Sequence, residues 1–88
     1  MYSYEIKSEL QRILNKLFKK DKKMYEAVMN KIEEIIKNPQ HYKQLKYDLA
    51  GERRVHIMKS FVLKFEIDEL KKIIIFLTFS HHDEAYKK

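Results

Sequence analysis

The run Ile73-Ile74-Ile75-Phe76-Leu77-Thr78-Phe79 is the strongest constraint on how this chain folds. It is far too short to cross a bilayer as a helix, and its apolar residues do not alternate with polar ones, so it reads as a strand that needs cover on both faces. Such a strand belongs at the centre of a sheet. One face goes under helices, and the other is either concave or covered by a partner.

The sequence ahead of it supplies the helices. Tyr2, Tyr4 and Ile6 alternate with Ser3, Glu5 and Lys7, which suits a short first strand. Ser8 is placed as a helix N-cap, with Gln11 three residues on to complete a capping box. Leu10, Ile13, Leu14, Leu17 and Phe18 then form an apolar stripe at helical spacing, and Lys19 and Lys20 complement the dipole in the last turn. Asp21 caps a second helix, whose face is Met24, Val28, Ile32 and Ile35 flanked by Tyr25, Met29 and Ile36. Asn38-Pro39 ends it, because the residue before proline is pushed out of the helical region. The short break makes the two helices an antiparallel hairpin.

Past Pro39 the period changes to two. Tyr42 to Leu49 reads as a loop with a short strand through Leu45 and Tyr47, and Gly51 marks a turn. Val55 and Ile57 face one way, with Arg54, His56 and Met58 facing the other. Phe61, Leu63, Phe65 and Ile67 face inward, and Val62, Lys64 and Glu66 outward. Asp68-Glu69-Leu70-Lys71 is a hairpin turn into the apolar run. The expected fold is α+β: an N-terminal strand and a two-helix antiparallel hairpin packed on one face of a small antiparallel sheet, with residues 1–88 as a single domain.

Charge narrows the partners. Nineteen Lys and Arg against 13 Asp and Glu leave +6, a balance that favours polyanions, although 16 of the cations are lysines of the kind that merely solvate helices. No cysteine is present, which removes disulfides and the usual zinc sites. No apolar run spans a membrane and Met1-Tyr2-Ser3-Tyr4-Glu5 is unlike a signal peptide, so a cytoplasmic location is expected.

Two groups of residues can carry chemistry. Residues 41 to 64 hold Lys43, Lys46, Arg53, Arg54, Lys59 and Lys64 against Asp48 and Glu52. Arg54 and His56 share an outward strand face, Lys64 lies on the next strand and Lys59 in the turn between, a cluster able to hold phosphates. An exposed sheet face also uses such charges for solubility and edge protection. The second group is Ser80-His81-His82-Asp83-Glu84-Ala85-Tyr86 at the end of the apolar strand. Cleavage of RNA by its own 2′-hydroxyl needs a base for that hydroxyl, cations for the phosphate and an acid for the leaving oxygen. His, Arg, Lys and Tyr supply all three with no metal or cofactor. The plainer readings are a surface histidine pair, a tyrosine ring packed back on the sheet, or a metal ligand set, which adjacent histidines disfavour because their side chains diverge. His41 is taken as structural or surface, Met24, Met29 and Met58 as core filling, and Leu10 to Phe18 as core.

The order of these elements resembles the RelE/ParE toxin superfamily over nearly the whole chain. The matching parts are the strand and helical hairpin ending at Asn38-Pro39, Lys46-x-x-Leu49-x-Gly51-x-Arg53-Arg54-Val55, the strand Phe61 to Asp68, and the final His81-His82-Asp83-Glu84-Ala85-Tyr86. The Arg-Arg-Val-His segment and the His-His-Asp-x-x-Tyr ending are its most specific parts. The resemblance implies the toxin of a type II toxin–antitoxin pair, held silent by a RelB-like antitoxin that wraps it. It also implies cleavage of mRNA on the ribosome without a metal. Arg54 and His56 match the basic residues of the strand after the glycine, His81 the histidine of a His-Arg-x-x-x-Tyr ending, and Tyr86 its tyrosine; His82 stands where many relatives have arginine. Relatives often carry an arginine after the aromatic at Phe61, where this chain has Val62, which leaves the phosphate to Arg54, Lys59 or Lys64. The implied roles are His81 or His82 as base or acid, His56 beside them, Tyr86 assisting or stacking on a base, Arg54 with Lys64 on the phosphate, and Lys43, Lys46, Arg53 and Lys59 along the RNA. Two rival readings remain: a ParE-like inhibitor of DNA gyrase, and a catalytically weak module that only binds nucleic acid or antitoxin.

Overall fold

The computed structural model describes residues 2–42 and 52–82. The elements run β1 (Ser3–Ile6), α1 (Ser8–Lys20), α2 (Lys22–Lys37), a short 3-10 turn (Pro39–His41), β2 (Glu52–Ile57), β3 (Phe61–Asp68) and β4 (Ile73–His81). The expected strand through Leu45 and Tyr47 and the turn at Gly51 lie outside the described residues.

β4 is central, as its apolar run demands. The sheet order is β1-β4-β3-β2, with β3 antiparallel to both β4 and β2. The sheet is mixed, because β1 pairs with β4 in parallel. The helical hairpin carries the chain back across the sheet between β1 and the antiparallel strands, and the place left for β1 is the far edge of β4.

That pairing also moves the start of α1. Lys7 N–H donates to Phe76 O at 3.0 Å, which extends the β1–β4 ladder by one residue and holds Lys7 extended. Lys7 is therefore the N-cap, without a side-chain cap, and Ser8 is the first helical residue. The expected capping box does not form. The second cap does: Asp21 Oδ1 accepts from Met24 N–H at 3.1 Å, and the single residue between the helices forces the chain to reverse.

The core is a two-layer sandwich. Leu10 and Leu14 of α1 and Met24, Val28, Ile32 and Ile35 of α2 meet Ile57, Leu63, Phe65, Ile74, Phe76 and Phe79 of the sheet. Two apolar residues leave the expected core. Phe18 is half exposed, its ring edge-on to Tyr25 and beneath the Lys22 ammonium, because the stripe turns outward in the last turn of α1. Met58 is exposed because β2 stops at Ile57 and Met58 and Lys59 form the β2–β3 turn with φ of 51° and 65°. Left-handed backbone at two non-glycine residues costs on the order of 1 kcal/mol each. The Ile57–Phe61 pair that closes the turn holds them there.

A polar clamp ties the sheet edge to the turns. Tyr2 hydroxyl donates to Glu69 Oε1 at 2.6 Å, and Gln40 Nε2 donates to Glu69 Oε2 at 2.5 Å and to the Tyr2 oxygen at 3.0 Å. The Tyr2 and Gln40 hydrogen bonds, with weaker help from Lys72 and Arg53, hold the Glu69 carboxyl below its ordinary value of 4.5.

Two predictions follow from these contacts. Asp21→Ala removes the α2 cap and is expected to lower unfolding free energy by about 1 kcal/mol in a urea titration. A depressed carboxyl contributes stability that is complete above 4.5 and is lost as pH falls through the folded-state value. The gap in melting temperature between wild type and Glu69→Gln should therefore be widest near neutrality and close in acid; a gap that widens in acid contradicts the clamp.

Candidate functional site

One irregularity in β4 builds the face opposite the helices. Lys64 pairs with Thr78 but Phe65 pairs with Phe76, so Leu77 is an extra residue, a β-bulge. Before the bulge Ile74 and Phe76 point into the core. Unbroken alternation would send Thr78 and Ser80 there too. The bulge reverses the phase, so that Phe79 enters the core while Thr78 and Ser80 emerge on the open face.

Three cross-strand rows result. Glu52 stands opposite Glu66 and then Ile75; Arg54 opposite Lys64 and then Thr78; His56 opposite Val62 and then Ser80. Arg54 beside Lys64 and Glu52 beside Glu66 are both like-charge pairs, an arrangement that costs stability in a sheet. Departures of this kind concentrate at functional sites. The Arg54 guanidinium is offset by its own strand: Arg54 Nε lies 3.5 Å from Glu52 Oε2, and both side chains are largely buried.

The imidazoles gather one row away. His82 N–H donates to Ser60 O at 2.6 Å, which fastens the end of β4 to the β2–β3 turn. The His82 ring then stacks on His56, centroids 5.4 Å apart and planes 28° from parallel. Val62, opposite His56, is 0% exposed although it is outside the helix-side core. It forms an apolar floor beside the stacked rings. His81 goes the other way, its ring edge-on to Phe61 at 5.4 Å, and Phe61 in turn stacks on Phe79.

The structure thus brings Arg54, His56, Lys64 and His82 to one face, with Lys59 in the turn at its end. It puts His81 on the opposite side. Arg53 is also on the other side, 7% exposed, with its Nε donating to Tyr42 O at 2.9 Å, so it braces the chain after α2 and does not face the cluster. Lys43, Lys46, Asp83 and Tyr86 lie outside the described residues. Among the described residues no group of three His, Asp or Glu side chains is placed to hold a metal ion, and no helix is long and apolar enough to cross a membrane. Sequence reasoning gave Thr78 no part in the site, counted Glu52 only as an acid within the basic cluster, and named Ser80 only as the start of the histidine-rich ending. The only signal was Thr78 and Ser80 themselves, polar residues out of step with an apolar run.

Proteins of known structure share this fold. The Mycobacterium tuberculosis RelBE2 toxin–antitoxin complex contains a chain with TM-score 0.74 and 22% identity, over 92% of this chain and 98% of that one. The Escherichia coli DinJ–YafQ complex contains one with TM-score 0.77 and 15% identity, over 99% and 100%. The fold is that of the small α+β toxins. In sequence, a model described as the ParE toxin of the type II toxin–antitoxin system parDE matches residues 2–86. The Methanocaldococcus jannaschii protein named "Putative toxin RelE4" is 53% identical over 88 residues, all of this chain and 94% of that protein. An uncharacterized protein of Methanosarcina mazei is 44% identical over 86 residues, 98% of this chain and 100% of that one. This chain belongs to the RelE/ParE superfamily of type II toxin–antitoxin toxins.

The adjacent arginines should separate cleanly by experiment. Arg53→Ala removes a buried charged donor from the half-buried Tyr42 carbonyl and is expected to cost about 1.5–3 kcal/mol in chemical unfolding. A variant as stable as wild type would show that Arg53 is not the brace described.

Proposed function

We propose that this toxin is a metal-independent endoribonuclease that cuts mRNA on the ribosome and blocks translation, with the open sheet face as its site. The observation that carries this reading is the juxtaposition of Arg54 and Lys64 with the stacked His56–His82 pair one row away. Two cations side by side suit one phosphodiester, whose charge offsets the repulsion between them. Two imidazoles next to that phosphate suit the two proton transfers of the reaction.

In this mechanism one imidazole takes the proton of the ribose 2′-hydroxyl, and that oxygen attacks the neighbouring phosphorus. The bond to the 5′-oxygen breaks, the second imidazole protonates the leaving oxygen, and a 2′,3′-cyclic phosphate remains on the other product. Arg54 and Lys64 stabilise the charge that gathers on the phosphoryl oxygens. Glu52 keeps the Arg54 guanidinium against the sheet, and Thr78 and Ser80 offer hydroxyls on the same face. His56 takes the second imidazole role that the sequence assigned to the neighbouring histidines, since His81 turns away. Tyr86 stacking on a base, and Lys43, Lys46 and Lys59 following the strand, complete the substrate path in this reading. A RelB-like antitoxin is the expected partner; the M. tuberculosis RelBE2 and E. coli DinJ–YafQ structures are toxin–antitoxin complexes.

A second reading has its own support, because the matching family model is that of the ParE toxins. On that reading the target is DNA gyrase, and the toxin would inhibit supercoiling and leave mRNA whole.

The test is growth arrest and mRNA cleavage on ribosomes by wild type, His56→Ala, His82→Ala and Tyr86→Phe. Loss of either imidazole is expected to lower cleavage by roughly 10²–10⁴-fold with the fold intact. Full toxicity in both histidine variants sinks the assignment, and gyrase inhibition without cleavage selects the second reading.

A further inference from the structure

Among the described residues the exposed large apolar side chains are Tyr4, Phe18, Met58 and Leu70. Tyr4 and Phe18 have ring partners in Phe76 and Tyr25. Leu70 is in the turn after Asp68, at the end of β3 away from the histidines. Met58 is placed differently. It follows the last residue of β2, two beyond His56, and it is 47% exposed. It is also unfavourable to the fold on two counts. Its φ of 51° is left-handed backbone, which glycine or asparagine adopts with less strain. Its side chain takes no part in the core. Such a residue beside a functional face points to a contact made outside the chain.

The turn that carries Met58 is fixed at three points. Ile57 pairs with Phe61 across its base, Ser60 N–H donates to Met58 O at 2.6 Å, and Ser60 O accepts from His82 N–H at 2.6 Å. The last bond joins the turn to the strand end that stacks His82 on His56. Met58 is therefore presented on a held support at the imidazole end of the open face. A thioether there suits a flat ring. Sulfur is polarizable and packs well on aromatic systems, and the unbranched chain adapts its shape to the ring it meets. A single RNA strand offers unstacked bases to such side chains. A phosphodiester on Arg54 and Lys64 has a nucleotide on each side of the cut, and the base of one of them falls towards the histidines and Met58.

We propose that Met58 is a nucleobase-binding residue, which packs on the base of one nucleotide flanking the bond to be cut. It rests on the reading of the open sheet face as an RNA-cleaving site. The contact holds that nucleotide out of its stack while the cations hold the phosphate, so the 2′-hydroxyl stays next to the imidazoles. Every base has a face to offer, so Met58 contributes affinity and contributes little to sequence choice.

The test uses ribosomes carrying a synthetic mRNA, either intact or with an abasic nucleotide on one or the other side of the cut. The abasic sugar keeps its 2′-hydroxyl and its phosphates. The proteins are wild type, Met58→Asn, which suits the left-handed backbone and removes the thioether, and Met58→Leu, which restores apolar bulk. Met58→Asn is expected to melt no lower than wild type. It should raise KM for intact mRNA by about 2–10-fold, the strength of a sulfur–ring contact, with kcat unchanged. Met58→Leu should recover most of that loss. One of the two abasic mRNAs should bring wild type down to the level of Met58→Asn and leave that variant no worse. The proposal is overturned if Met58→Asn handles intact mRNA as wild type does, including the case in which it instead loses hold of the antitoxin. The same ratio to wild type on all three mRNAs also overturns it, as does a fall in kcat alone, because Met58 would then act through the fold or the imidazoles. Wild type that cuts no mRNA at all fails the RNA-cleaving reading and takes this proposal with it.

Discussion

Everything in this structure depends on covering β4. A strand apolar on both sides has to be central, and that requirement recruits β1 in parallel on one edge and β3 antiparallel on the other. The helical hairpin then seals one face through Leu10, Leu14, Val28, Ile32 and Ile35. The bulge at Leu77 resolves a conflict within the strand itself. It lets three large side chains, Ile74, Phe76 and Phe79, enter the same core and releases Thr78 and Ser80 to the other face. The packing solution for the core is thus also what equips the candidate site.

The open face shows the cost of that equipment. Arg54 beside Lys64 and Glu52 beside Glu66 are local arrangements that folding alone would avoid. The Glu52–Arg54 contact relieves part of the repulsion and keeps the guanidinium close to the sheet. The stacked His56 and His82 are held by backbone geometry, since the His82–Ser60 hydrogen bond sets where the ring can reach.

Much of the fold was legible in the sequence because the hydrophobic periods are clean. The 3.6-residue stripes of α1 and α2, the stop at Asn38-Pro39 and the Asp21 cap follow from local rules, and so does the outward placement of Arg54, His56 and Lys64. The start of α1 was misjudged because a ladder bond from Lys7 to Phe76, remote in sequence, outranked a local capping box. Arg53 was grouped with Arg54 because a run of basic residues hides the alternation that sends neighbours to opposite faces.

By itself the sequence determined the elements, the class of the fold, the family, and the residue types available for phosphate and proton chemistry. The elements, the fold class and the residue types depend on periodicity and composition, which are local, and the family on a resemblance carried by the order of motifs. Only the tertiary structure decided which histidine joins the cluster, that β1 lies parallel to β4, and that Glu52, Thr78 and Ser80 share the face. These depend on register and on a one-residue bulge. A shift of one residue in a strand exchanges its two faces, and no local pattern in an apolar run announces where that shift falls.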